Sequence, residues 1–267
     1  MEVTTSDHIT LHGLFYAAKD RNCVAILLHG LGGNFYTQPV PGVANVLAEA
    51  GYSCLAINTR GHDWIAGWGT LIGSSLELIA DAPYDIEAFV HYLRDMSYER
   101  IVLIGHSLGG LKALYYQSSR SDHAITAVVA MSPTFSLSYH KAVNMIPDFE
   151  YRYSSARNLV SQGRPYEFIR WVWSYGPTPE IILTAQTFVD RYGPSLKFDG
   201  KTLIGKVVCP VLLTAGSKES EDYRSSLAAA NVSSLEIVQG ADHYYTAFEP
   251  ALARVIVRWL ENNDVNS

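Results

Sequence analysis

The pentapeptide Gly105-His106-Ser107-Leu108-Gly109 is where residue types and spacing in this chain point most directly to chemistry. It follows the apolar run Ile101-Val102-Leu103-Ile104 and leads into Leu111 to Gln117, whose pattern predicts a helix. The setting is therefore strand, Gly-x-Ser-x-Gly, helix. So sharp a turn forces the serine into strained backbone geometry and pushes its hydroxyl out at the carboxyl edge of a sheet. There it meets the N-terminus of the next helix, whose dipole favours developing negative charge. Ser107 is the candidate nucleophile.

A serine hydroxyl is a weak nucleophile until a base takes its proton, so a histidine and a group to orient it are required. His243 lies in Gly240-Ala241-Asp242-His243, a short loop between the last apolar run and a terminal helix, level with Ser107 at the same sheet edge. The other histidines have duller readings. His91 and His123 fall in or just after helices, and His106 flanks the nucleophile but points away from it on the turn. His8 and His12 are four apart in a strand-like segment, where that spacing does not converge on a metal. The acid belongs after the run Val211–Ala215, in Gly216-Ser217-Lys218-Glu219-Ser220-Glu221-Asp222. Glu219, three residues after Gly216, is the expected choice, with Glu221 and Asp222 as alternatives. A tetrahedral intermediate also needs two donors for its oxyanion. The Leu108 N–H is one, and the glycine-rich turn Leu28-His29-Gly30-Leu31-Gly32-Gly33 brings the Leu31 N–H as the other. That turn matches neither the dinucleotide fingerprint nor a Walker A loop, which would need a Lys.

The elements that must position these residues read as alternating strands and helices, which predicts an α/β fold with a mostly parallel sheet. Strands are expected at Val24–Leu28, Ser53–Ile57, Ile101–Ile104, Ala127–Met131, Val211–Ala215 and Leu235–Val238, with Ile9 to Tyr16 opening the sheet as an antiparallel edge. Helical stripes run through Val43, Val46, Leu47 and Ala50, through Ile86, Phe89, Val90 and Leu93, and through Phe248, Leu252, Val255 and Trp259. From Pro133 to Lys206 the alternation breaks. That stretch shows no clean strand and gathers the aromatics Tyr151, Tyr153, Phe168, Trp171, Trp173 and Tyr175. It reads as a mostly helical insertion, since structureless loops of that length are uncommon. Residues 1–132 and 207–267 then form the core and 133–206 the insertion.

Composition narrows the function classes. The 267 residues carry a net charge of -6 with no basic run, which sets nucleic acid aside as a partner. Cys23, Cys54 and Cys209 form no framework and read as buried free thiols. The first ten residues lack the basic and apolar regions of a signal peptide, and no stretch reaches transmembrane length, so the expected compartment is the cytoplasm. No cofactor and no metal are implied, and the oligomeric state is left open.

Strand-His29-Gly30-Leu31-Gly32-Gly33, then Asn58-Thr59-Arg60-Gly61-His62-Asp63, then Gly105-His106-Ser107-Leu108-Gly109, then Gly240-Ala241-Asp242-His243 together resemble the α/β-hydrolase superfamily, from Val24 to the C-terminus. The resemblance implies a mostly parallel, eight-stranded-type sheet flanked by helices, with 133–206 as a mainly helical cap. It further implies hydrolysis of an ester or related acyl bond through an acyl-enzyme. Two positions depart from the pattern: Asn58 begins a segment that usually starts with Asp, and Glu219 stands where Asp is most frequent. Because such caps fold over the nucleophile, Trp171, Trp173 and Tyr175 are candidates to line an apolar pocket. The expected partner is a neutral, partly apolar or aromatic small-molecule ester. A serine hydrolase acting on an amide, thioester, lactone or carbon-carbon bond is the alternative, ahead of a non-catalytic binding module of the same fold.

Overall fold

Six strands of the central sheet run parallel to one another, and each coincides with one of the expected apolar runs. They are β3 (Cys23–Leu28), β4 (Ser53–Ile57), β5 (Arg100–His106), β6 (Ile125–Met131), β9 (Val211–Gly216) and β10 (Ser234–Val238). The computed structural model describes residues 1–18, 23–67, 70–135, 139–172, 180–194, 198–230, 232 and 234–263. Two further strands, β1 (Glu2–Thr4) and β2 (Thr10–Tyr16), complete an eight-stranded sheet of order β1-β2-β4-β3-β5-β6-β9-β10. β2 pairs antiparallel with β4, as expected, but it is not the edge: β1 lies outside it, with Val3 opposite Leu11. Three residues, two of them polar, carry no periodic signal, so β1 was not legible in the sequence.

The continuous apolar strands make sense because both sheet faces are covered. Successive residues of a strand point to opposite faces, and β3 divides accordingly. Val24, Ile26 and Leu28 enter a core with Phe89 and Leu93 of α2 (Ala82–Asp95) and Leu111 and Leu114 of α3 (Leu108–Arg120). Ala25 and Leu27 enter the opposite core with Val43 and Leu47 of α1 (Val40–Glu49) and Leu252 and Ile256 of α9 (Glu249–Asn262). Among the described residues no helix is long and apolar enough to cross a membrane.

Between β6 and β9 the chain leaves the sheet. It forms α4 (Tyr139–Met145), α5 (Phe149–Ser161), β7 (Phe168–Val172), β8 (Glu180–Thr184), α6 (Ala185–Tyr192) and α7 (Gly200–Ile204); α8 (Glu221–Ala228) follows β9. The stretch is mainly helical, but the expectation that it holds no strand is corrected by the antiparallel pair β7 and β8. The signal was an alternation masked by aromatics: in Phe168-Ile169-Arg170-Trp171-Val172 only Ile169 and Trp171 turn inward. They join Phe149, Phe188 and Tyr192 in a third core, separate from the two that flank the sheet.

Phe89 is fully buried between α2 and the sheet. Phe89→Ala is expected to lower unfolding free energy by about 3–5 kcal/mol, read from the urea midpoint, because the cavity cannot collapse between rigid layers. A loss below about 1 kcal/mol would mean that α2 is not fixed there.

Candidate active site

Ser107 joins β5 to α3 at φ 53° and ψ −117°, a conformation that a side chain disfavours. Close backbone packing enforces it. A Cβ on Gly109 would lie 2.5 Å from the His29 carbonyl oxygen, and one on Gly105 would run into the backbone of Gly109. Hydrogen bonds hold the turn from both sides: Ser107 N–H donates to Met131 O at 2.9 Å, and Ser107 O accepts from Thr134 N–H at 2.9 Å and Gly110 N–H at 3.0 Å.

The structure brings Ser107, His243 and Glu219 into one hydrogen-bonded line. His243 Nε2 is 3.1 Å from Ser107 Oγ, and His243 Nδ1 is 2.8 Å from Glu219 Oε1. An ionised carboxylate only accepts, so Nδ1 carries the hydrogen and the Nε2 lone pair faces the serine hydroxyl. Glu221 and Asp222, the alternatives for the acid, instead lie exposed in the first turn of α8. Glu219 is fixed by its second oxygen, which accepts from Ser132 Oγ at 2.6 Å and Gly216 N–H at 2.9 Å. Ser132 spends its single hydrogen on the carboxylate, so Tyr245, whose hydroxyl is 2.9 Å away, donates to Ser132 and accepts from Thr214 at 2.7 Å. No periodicity or motif marks Ser132, Thr214 or Tyr245, because their roles arise only when β6, β9 and the His243 loop meet.

Two histidines read as ordinary or left unassigned prove to hold the site in shape. His106 Nε2 lies 2.8 Å from the His243 carbonyl oxygen and donates to it. Burial pushes its pKa down to about 3, so it is neutral. His29 Nε2 accepts from Thr59 N–H at 3.2 Å, which leaves the Nδ1 hydrogen to donate to Gly30 O at 2.8 Å. Burial likewise pushes His29 down to about 3. The Gly30 carbonyl also accepts from Gly33 N–H at 3.1 Å. Within one peptide unit the carbonyl and the following N–H point in opposite directions. Fixing Gly30 O therefore turns the Leu31 N–H away from His29.

Among the described residues, neither the Leu31 nor the Leu108 N–H donates to any acceptor. Leu108 begins α3, where the first amides of a helix have no internal partner. The turn adjoins the serine closely: a Cβ on Gly30 would stand 3.1 Å from Ser107 Cβ. The arrangement offers a polarised hydroxyl beside two free N–H groups, which suits attack on a carbonyl and capture of the oxyanion.

The expected pocket residues fare differently. Trp171 is 2% exposed and packs edge-on against Phe188 and Tyr192, so it fills the third core instead of lining a pocket. Trp173 and Tyr175 lie outside the described residues. The groups found near the serine are others. Thr134 Oγ1 is 3.5 Å from Ser107 Oγ, Tyr244 sets its ring edge-on to His243 at 5.1 Å, and Trp64 lies against Gly32.

Residues 25–165 match the family described as the alpha/beta hydrolase fold, a span that includes Ser107 but neither Glu219 nor His243. One curated relative, a UPF0613 protein of Schizosaccharomyces pombe, is 35% identical over 112 residues, 40% of this chain and 34% of that protein. The chain thus matches about a third of that relative's length. Solved structures agree over nearly the whole chain. Est1E from Butyrivibrio proteoclasticus, with ferulic acid bound, has a TM-score of 0.70 at 19% identity and 98% coverage of each chain. The alpha/beta hydrolase GrgF from Penicillium sp. gives 0.72 at 17% identity, covering 100% of this chain and 97% of that one. A Paleococcus ferrophilus monoacylglycerol lipase gives 0.68 at 20%, covering 96% and 100%.

The two buried neutral histidines make stability pH-dependent. Their folded pKa values near 3 lie below the ordinary 6.5, so the unfolded chain takes up protons first as pH falls. Their contribution is complete above 6.5 and is lost as pH falls towards 3, by up to about 1.4 kcal/mol per pH unit for each ring. Urea midpoints are expected to fall steadily from about pH 6.5 to about pH 5, before most carboxylates titrate, and His106→Gln should make the slope shallower by about one proton. A flat profile in that window would contradict the neutral assignment.

Proposed function

Because the chain belongs to the alpha/beta hydrolase fold family, we propose that it is a serine hydrolase that cleaves a carboxylic ester through an acyl-enzyme on Ser107. The observation that carries this reading is the unbroken line from Ser107 Oγ through His243 to Glu219, at 3.1 and 2.8 Å. His243 Nε2 takes the hydroxyl proton as Oγ attacks the ester carbonyl, and the imidazolium that forms is stabilised by Glu219. The oxyanion accepts the Leu31 and Leu108 N–H groups. As the tetrahedral intermediate collapses, His243 returns the proton to the departing alkoxide, and the acyl group stays on Ser107. Water, deprotonated by His243, then attacks the acyl carbonyl and releases the acid, restoring the serine.

A neutral, partly apolar or aromatic small-molecule ester fits this setting best. Trp64 and Tyr244 supply ring surface beside the turn and the histidine, and a similar structure holds ferulic acid, an aromatic acid. The segment 133–206 is read as the cap over a core of 1–132 and 207–267; its middle, from Ala142 to Tyr192, gathers on its own hydrophobic core, while Phe135, Phe198, Leu203 and Ile204 at its two ends pack into the core beneath the sheet.

Hydrolysis of p-nitrophenyl esters of graded chain length tests the assignment. Ser107→Ala and His243→Ala are each expected to lower kcat by on the order of 10⁴–10⁶, and the double variant to be little worse than either, because the pair acts as a unit. Glu219→Gln should cost on the order of 10⁴, while Glu221→Gln and Asp222→Asn stay near wild type. A Ser107→Ala variant retaining more than about a tenth of kcat would overturn the reading.

A further inference from the structure

Ser74 is fully buried where three parts of the chain meet. Its hydroxyl accepts the Gly32 N–H at 2.8 Å and donates to the Gly61 carbonyl at 2.6 Å. Gly32, at φ 64°, follows Leu31 directly, so this bond anchors the turn one residue beyond the free Leu31 N–H. On its other side, the Ser74 carbonyl accepts from Arg191 Nη2 at 3.3 Å, and Arg191 belongs to α6. The next residue, Ser75, is tied to the same segment. Its hydroxyl donates to Ile182 O at 2.7 Å, and its carbonyl accepts from Thr184 N–H at 2.8 Å.

Arg191 is a poor choice for a strut that only stabilises. Its side chain is 2% exposed and stands 3.8 Å from Glu77, which is itself fully buried and already in contact with Lys112 Nζ. Two cations share one carboxylate, and Arg191 Nε and Nη1 are buried without a hydrogen-bond partner among the described residues. An arrangement so under-paired lowers stability, which leaves Arg191 free for a role other than stabilisation. Lys112 lies on α3, behind Ser107, and donates to Thr59 Oγ1 at 3.0 Å; Thr59 in turn bonds His29. α6 is thereby joined both to the helix that follows the serine and, through Ser74, to the turn in front of it.

We propose that Ser74 is a positioning residue for the Leu31 N–H and that Arg191 acts through it, so that docking of α6 sets the aim of this oxyanion donor. The inference rests on the serine-hydrolase reading of Ser107. An oxyanion donor is most useful when it is already aimed at where charge develops, and the neutral ester carbonyl of the ground state gains little from it. Loosening the turn should therefore reduce kcat and leave KM almost unchanged.

Ser74→Ala, Ser74→Thr, Arg191→Met and the Ser74→Ala/Arg191→Met pair are to be assayed on p-nitrophenyl butyrate, beside urea unfolding and the rate of Ser107 labelling by a fluorophosphonate. Ser74→Ala is expected to lower kcat by about 10–100-fold with KM within about twofold, since it displaces a donor whose outright removal costs about 10²–10³. Ser74→Thr, which keeps the hydroxyl, should recover most of that loss. Arg191→Met should lower kcat by roughly 3–10-fold while the urea midpoint stays level or rises, because it leaves Glu77 and Lys112 as a balanced pair. The double variant should be no slower than Ser74→Ala. A Ser74→Ala enzyme within about twofold of wild-type kcat, or additive losses in the pair, would overturn the proposal. Should Ser74→Ala not fold, an Arg191→Met enzyme with unchanged kcat would overturn it equally. A wild-type protein that the fluorophosphonate does not label would instead overturn the serine-hydrolase reading itself, and this inference with it.

Discussion

A serine at φ 53° and ψ −117° sits in a conformation that its side chain resists, and the surrounding contacts are arranged to keep it there. Gly105, next to last in β5, and Gly109, in the first turn of α3, stand where the backbones of β3, β5 and α3 come too close to admit a Cβ. The Ser107 amide and carbonyl are both hydrogen-bonded to the strand and loop that follow α3. In return the hydroxyl stands clear of its own helix, at the carboxyl edge of the parallel strands. That edge is also where the loops after β3, β9 and β10 bring Leu31, Glu219 and His243.

Around this elbow the protein separates charged from neutral hydrogen-bonding groups. Glu219 accepts on both oxygens, from the imidazole on one and from a hydroxyl and a backbone amide on the other. His29 and His106, wholly enclosed, are held neutral, and each uses a ring N–H to fix a backbone carbonyl. A protonated ring in either place would add an uncompensated charge beside the site. The buried ions Lys112, Glu77 and Arg191 lie one layer further from the serine and connect separate elements instead of facing a reacting atom.

How much of this was legible in the sequence followed from how local each signal was. Most of the parallel strands could be read because burial on both faces makes them continuous apolar runs, as in Cys23–Leu28, whereas the edge strand β10 is only partly buried and carries Glu236. Ser107 and His243 stood out because each lies at a junction whose flanking elements are also legible. Glu219 was separable from Glu221 and Asp222 only by its distance from Gly216, and it is the one that faces the imidazole. Ser74, Ser132, Tyr245 and Arg191 were invisible, since each acts on a partner far away in the chain. Trp171 was misread because an aromatic in a short, alternating strand resembles a pocket residue until the packing on its inner face is known.

The central claim, that Ser107 is the atom to which substrate becomes attached, is tested most directly by trapping the acyl-enzyme. The protein is mixed with p-nitrophenyl acetate, quenched in acid within milliseconds, and analysed by intact mass and peptide mapping. The account predicts a burst of p-nitrophenol matched by a single acetyl group on the peptide that contains Ser107, and neither burst nor label in Ser107→Ala. Turnover with no acylated intermediate in the wild-type protein, or an acetyl group that persists on another residue when Ser107 is replaced, would contradict it.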